Sequence, residues 1–181
     1  MRQLWQMWQE GFPDKSIAQI ERLAAEKDLK DGISLNTGED QSLHRRSKIC
    51  WLNEQYWLRD QLYWYVMEAN RAAFGVDVCN VAALQFTEYH GEKKGGYEWH
   101  RDVIYKTDRA FDRKISIIVQ LSDSHEYEGG DFEFSECQNP ANVRQKGAVL
   151  VFPSYVTHRV TPVTKGIRKS LVAWFEGPKW R

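Results

Sequence analysis

The sequence predicts a mainly β protein of the jelly-roll type, with two helices flanking it on the N-terminal side. Three observations carry this. Helical periodicity is confined to roughly the first 77 residues. From Val78 onward, short runs rich in β-branched and aromatic residues alternate with Gly, Asn, Asp and Ser turns. Helices that precede the strands, rather than alternate with them, are laid against a sheet and do not build βαβ units. About seven or eight such strands are what a jelly roll or related barrel requires.

The 181 residues suit one domain over 1–181, with helical support over about 1–77 and a jelly-roll core over about 78–181. A hydrophobic content of 42% excludes a disordered chain. Lys plus Arg and Asp plus Glu stand at 25 each, so no charge excess points to nucleic acid or membrane. Cys50, Cys79 and Cys137 are odd in number, far apart and without CxxC spacing. They make neither a disulfide framework nor a zinc knuckle, and they favour a reducing compartment. Trp5 and Trp8 are interrupted by Gln3, Gln6, Gln9 and Glu10, so no apolar signal core forms, and no stretch approaches the ~20 apolar residues of a membrane span. The expectation is a cytoplasmic protein.

Residues 4–12 read as a short packed segment ended by Gly11 and Pro13. Ser16, with Gln19 three residues on, predicts a capped helix that carries Ile17, Ile20, Leu23 and Ala24 and ends near Asp28. Residues 31–43 read as a loop. Arg45 to Leu52 reads as an edge strand whose charges discourage pairing with other chains. Asn53 predicts the cap of a longer helix whose face is Leu58, Leu62, Tyr65, Val66, Ala69 and Ala73, ended by Gly75. In Val81 to Tyr89, Ala83, Gln85, Thr87 and Tyr89 share one face, and Ala82, Leu84 and Phe86 the other. Gly91 to Gly96 is a turn, Tyr97 to Asp102 a strand, and Val103 to Arg113 a charged loop suited to act as a lid. Lys114 to Ser122 reads as a central strand. Glu128-Gly129-Gly130-Asp131 signals a hairpin leading into Phe132-Glu133-Phe134. Strands over Gly147 to Phe152, Arg159 to Val163 and Lys169 to Glu176 complete the set.

The chemistry centres on Tyr97-Glu98-Trp99-His100-Arg101-Asp102. On a strand, His100 and Asp102 point the same way. His158 supplies a third ligand from the neighbourhood of another strand. Two His and one carboxylate on one side of a metal, with the opposite positions open, form the facial triad of non-haem Fe(II) oxygenases. Three open positions accommodate O2 and a bidentate keto acid. The keto acid's far carboxylate needs a cation, and the planar fork of Arg168, with Ser170 two residues on, suits it. Tyr89 could add a hydroxyl. Against this stand plainer readings: a surface His-x-Asp pair, a solvated strand Arg, and a Tyr and a Ser that merely pack. Tyr97 reads as a pocket wall and Trp174 as core near the site; His44, His90 and His125 read as solvated.

With these residues in order, the chain resembles the 2-oxoglutarate and Fe(II)-dependent oxygenases, in their prolyl 4-hydroxylase-like branch. Tyr89-x-Gly91 followed by Tyr97-x-x-His100-x-Asp102 resembles that branch's first metal motif. Gly129-Gly130-Asp131-Phe132 is similar to its hairpin. Gly147 to Phe152, His158-Arg159-Val160-x-Pro162-Val163, Gly166-x-Arg168 and Trp174-Phe175 resemble its C-terminal core. Arg45-Arg46-Ser47 with Trp51-Leu52 resembles its N-terminal half. The resemblance implies a double-stranded β-helix, iron held by His100, Asp102 and His158, and 2-oxoglutarate held by Arg168 with help from Tyr89. It further implies O2 as oxidant, ascorbate as an accessory, and decarboxylation to succinate and CO2 coupled to hydroxylation. Many collagen-type members carry Lys where this chain has Arg168.

On that resemblance the expected substrate is a peptidyl residue, with proline foremost, in a peptide or protein. The competing readings are a hydroxylase of a free amino acid or other small metabolite, a catalytically silent jelly-roll binding module, and a nucleobase demethylase. An intact triad with Arg168 counts against the binding module, and the neutral chain counts against nucleic acid.

Overall fold

The computed structural model describes residues 3–32, 44–103 and 108–180. Among these, two antiparallel sheets face each other and two helices back the larger one, as the jelly-roll expectation requires. The helices are α1 (Asp14–Ala25) and α2 (Tyr56–Ala69). The strands are β1 (Gln6–Trp8), β2 (Lys30–Asp31), β3 (Arg45–Arg46), β4 (Lys48–Trp51), β5 (Asn80–His90), β6 (Gly96–His100), β7 (Phe111–Gln120), β8 (Tyr127–Gly129), β9 (Phe132–Phe134), β10 (Val149–Pro153), β11 (His158–Val160) and β12 (Val163–Pro178). The larger sheet runs β1-β10-β7-β12-β5-β4-β2, with β8 paired to β12; the smaller runs β3-β6-β11-β9.

Period-two alternation divides the large sheet between two cores. Leu84 and Phe86 of β5, Ile117 and Val119 of β7, and Leu171, Ala173 and Phe175 of β12 pack on the helices, against Ile17, Ile20, Leu58, Leu62 and Val66. Burying each such side chain contributes about 1.5–3 kcal/mol, and Leu62→Ala would cost about 2–5 kcal/mol. The opposite faces turn between the sheets, where Tyr89, Ile118, Tyr127, Phe132, Leu150, Phe152 and Val160 form the second core. Polar residues of β5, β7 and β12 share that inner face, and they build the site. No helix among the described residues is long and apolar enough to cross a membrane.

Several local expectations are corrected. α1 begins at Asp14 behind Pro13 and ends at Ala25, short of Asp28. Proline presets the backbone at the start, and the Ser16 hydroxyl is not a cap but donates to Gln61 on α2 at 3.1 Å. Asn53 does not cap α2; its side-chain oxygen accepts from the Leu84 N–H at 2.8 Å, tying the loop to β5. α2 carries the predicted face and continues through a π-helical turn, Asn70–Phe74, to Gly75 at φ 62°, a left-handed position glycine takes without strain.

The predicted edge strand at Arg45–Leu52 divides between the sheets. β3 joins β6, and β4 lies between β5 and β2. Arg45 is buried rather than turned to solvent. With β1 on β10 as well, the described residues among the first 77 give four strands in addition to the helices. The Gly129-Gly130 signal is not a hairpin. β8 pairs with β12 and β9 with β11, so the two glycines, at φ 72° and 65°, carry the chain from one sheet to the other. β7 starts at Phe111, which shortens the charged loop expected over 103–113; residues 104–107 of it, and 33–43 of the loop expected over 31–43, lie outside the described residues.

Candidate active site

The two histidines meet because β6 and β11 are paired with His100 opposite His158. Each ring is set by the same device. His100 Nδ1 lies 2.7 Å from the Glu98 carbonyl, and His158 Nδ1 lies 2.9 Å from the Val156 carbonyl. A carbonyl only accepts, so each Nδ1 carries the proton and donates, and each Nε2 keeps its lone pair for a metal. Tyr97 stacks on the His100 ring at 3.4 Å, and Phe132 and Phe152 pack on His158.

Asp102 reaches the same point by a different route from strand alternation. β6 ends at His100, and the Asp102 and Val103 N–H groups both donate to the Ser154 carbonyl, at 3.0 and 3.2 Å. That tether turns the carboxylate inward. Ser116 Oγ donates to Asp102 Oδ2 at 2.6 Å and lies 2.9 Å from Ser154 Oγ. Asp102 Oδ1 is 3.9 Å from His100 Nε2, and Oδ2 is 3.7 Å from His158 Nε2. All three ligand atoms lie within 4.8 Å of one another. These separations exceed hydrogen-bond reach and suit groups that converge on a shared ion.

Electrostatics prepare the same state. Burial, with His158 second, pushes the His100 imidazolium down to about 3, so the ring is neutral near pH 7. Burial alone would raise the Asp102 carboxyl, but His158, His100, Arg113 and the Ser116 hydroxyl together hold it below the usual carboxylate range. Two imidazoles whose Nε2 atoms face one point and one anionic carboxylate are a donor set that fits Fe(II).

Arg168 stands on β12 opposite Tyr89 of β5, and Ser170 stands opposite Thr87 of β5 and Gln120 of β7. Arg168, Ser170 and Tyr89 line one cavity with His100, Asp102 and His158. Arg168 is only 3% exposed, yet it makes no ion pair among the described residues. Its guanidinium lies 5.6 Å from the centre of the Tyr89 ring. A buried cation without a counter-ion is costly, and it defines a place for an anion.

The structure adds residues that sequence reasoning left out. Arg45 Nη2 donates to Gln85 Oε1 at 2.6 Å, Arg45 Nε donates to Ser47 Oγ at 2.8 Å, and the guanidinium lies over Tyr97. Arg113 lies 3.8 Å over the Trp174 ring and reaches the Asp102 carbonyl at 3.5 Å. Arg45, Gln85, Tyr97, Arg113 and Trp174, with Trp51 and Ile49, line an open cleft of about 540 Å³ beside Asp102. The available signal was the inward polar row of Gln85 and Thr87, together with Arg45 and Ser47, on strands whose other faces are apolar.

Fold and site together define an iron- and keto-acid-dependent oxygenase, and the relatives of the chain agree. The family model of the 2OG-Fe(II) oxygenase superfamily matches residues 84–176. A PKHD-type hydroxylase of Synechococcus sp. (strain CC9311) is 33% identical over 163 residues, which span 87% of this chain and 70% of that protein. The viral collagen prolyl hydroxylase of Paramecium Bursaria Chlorella virus-1, solved with 2OG, has a TM-score of 0.73 over 97% of each chain at 17% identity. A Trichoplax adhaerens prolyl hydroxylase, solved with a hypoxia inducible factor peptide fragment, has a TM-score of 0.73 over 94% of this chain and 82% of that one at 15% identity. At such identities the solved structures speak for the fold. The chain belongs to the 2OG-Fe(II) oxygenase superfamily, and its fold is like that of solved prolyl hydroxylases. It is a dioxygenase that uses Fe(II), 2-oxoglutarate and O2.

Proposed function

We propose that His100, Asp102 and His158 ligate the iron, that Arg168 holds the far carboxylate of 2-oxoglutarate with Tyr89 and Ser170 beside it, and that the enzyme hydroxylates a peptidyl residue, proline foremost. The observation that carries this reading is that the triad shares one cavity with a buried arginine that makes no ion pair among the described residues. When bound, iron and 2-oxoglutarate supply the activation of O2 and the decarboxylation to succinate and CO2. The chain's own residues orient and exclude. The Glu98 and Val156 carbonyls hold the imidazoles in the ligating tautomer, and Ser116 holds the carboxylate. Phe132 and Ile118 line that end of the cavity with apolar surface, and Phe152 packs on His158, which strengthens its electrostatic contacts.

The substrate enters along the cleft beside Asp102, where Trp174, Trp51 and Arg113 give an apolar wall with a cationic edge. An open cleft accepts an extended peptide, and the Trichoplax relative in fold was solved with one. Ascorbate supports turnover, and residues 1–181 act as one domain. The test is succinate release with iron-loaded enzyme, offered proline-containing peptides, free amino acids and oligonucleotides in parallel. Peptide-stimulated release with a 16-Da gain on the peptide is expected. Stimulation by free amino acids alone would overturn the peptide reading.

A further inference from the structure

Tyr127 of β8 is buried beside Arg168, a residue that lines the cavity. It stands opposite Gly166 across β8 and β12. Arg168 is two residues further along β12, so both side chains leave the strand pair on one side. A Cβ built on Gly130 would meet Arg168 Cδ at 3.0 Å and Tyr127 Cε2 at 3.3 Å, so the two side chains flank one point. Gln120 stands opposite Ser170, which also lines the cavity.

Hydrogen-bond direction now decides the matter. Gln120 Nε2 lies 3.1 Å from the Ser122 carbonyl and 3.1 Å from the Tyr127 hydroxyl. The carbonyl only accepts, so the atom facing it is the amide nitrogen and not its oxygen. The nitrogen's second hydrogen goes to the Tyr127 oxygen, which therefore accepts. The tyrosine keeps its own proton to donate, and it finds no acceptor among the described residues although Tyr127 is 3% exposed. Such a buried donor is unfavourable. Beside it sits the buried Arg168 guanidinium, which has no anionic partner among the described residues.

We propose that Tyr127 supplies the second donor to the far carboxylate of 2-oxoglutarate, with Gln120 fixing the direction of its hydroxyl. This rests on the reading that Arg168 takes that carboxylate. It gives the tyrosine contribution, which the sequence suggested for Tyr89, to a residue on β8. Tyr127 is a positioning residue: it binds one end of the co-substrate and thereby orients the other.

The experiment is anaerobic calorimetry on the iron-loaded protein, titrated with 2-oxoglutarate and separately with 2-oxovalerate, which has the same chain length and no far carboxylate. Tyr127→Phe keeps the ring and removes the donor. It should weaken 2-oxoglutarate by about tenfold or more and leave 2-oxovalerate unchanged. Gln120→Leu, which frees the hydroxyl to rotate, should weaken 2-oxoglutarate by a smaller factor. Unchanged 2-oxoglutarate affinity in Tyr127→Phe, or an equal loss of both keto acids, overturns the assignment; the second result would mean packing alone. Arg168→Met serves as the reference. If it binds 2-oxoglutarate as the wild type does, the underlying reading of Arg168 fails and the Tyr127 assignment with it. If it fails to bind while Tyr127→Phe binds normally, the Tyr127 assignment alone is wrong.

Discussion

The two ends of the cavity are finished to different degrees. At the triad, the groups that would otherwise swing are held: two ring nitrogens on carbonyls, one carboxylate oxygen on Ser116, and the backbone of Asp102 on Ser154. What stays open there is a set of lone pairs. At the other end, among the described residues, Arg168 is buried without a counter-ion, and nearby, on the strand beside Ser170, Gln120 Oε1 is buried without a partner. The difference follows from what each end must take up. A metal selects by geometry, so its ligands are fixed in advance. An anion selects by charge, so its end must carry charge the fold has not neutralised. Stability is given up at one end to make a binding site.

That contrast can be broken from either side. The largest effect should come from His158→Ala, which removes a ligand outright. Succinate release should fall by more than the about hundredfold typical of losing an outer partner, with the melting temperature near that of the wild type; retained turnover would remove His158 from the triad. Next comes Arg168→Met. In the iron-loaded enzyme it should cost about 2 kcal/mol or more of 2-oxoglutarate affinity, roughly thirtyfold. In the metal-free protein it should raise stability by about 1 kcal/mol, seen as a melting temperature higher by about 2–4 °C, because an unpaired buried charge is gone. A lower melting temperature would mean that Arg168 supports the fold.

Ser116→Ala loosens the triad without replacing any of its three residues. It should weaken Fe(II) binding by about 10–100-fold, measured by competition with a chelator, and leave the keto-acid affinity of the loaded enzyme near normal. The smallest effect is a pH slope. His100 titrates near 3 when folded and near 6.5 when unfolded, so between those values the unfolded chain binds the extra proton. Metal-free stability should therefore rise from pH 3 to 6.5 and level off above as far as this group is concerned. Asp102, depressed on folding, adds a loss of the same sign in the acid part of the window. Replacing His100 with Asn should flatten the slope; a slope unchanged in that variant would contradict the burial argument.

How much of this was legible in the sequence differs by region in the same way. The α2 face, Gly75 and the two-sided pattern of β5 are local periodicities, and they appear as read. The spacing of His100, Asp102, His158 and Arg168 picked out side chains that the fold gathers around one cavity. Strand alternation predicts the direction of Asp102, but its physical cause is a pair of backbone bonds to Ser154, a distant residue that no local pattern announces. The same holds for Ser16, Asn53 and Gly129-Gly130, where good local chemistry for caps and a hairpin is overridden by contacts across the chain. Arg45 looked like an edge charge because its partners, Gln85 and Tyr97, lie far along the sequence. Tyr127 carried no signal at all: its meaning depends on which way one amide points.

The most direct test of the division between the two ends is a sequential anaerobic titration of Arg168→Met beside the wild type, first with Fe(II) and then with 2-oxoglutarate, followed by calorimetry and by the visible charge-transfer band of an iron-chelated keto acid. The account predicts matching iron isotherms, with the keto-acid isotherm and the band lost in the variant at concentrations that saturate the wild type. Loss of iron binding together with the keto acid, or retention of both, would contradict it.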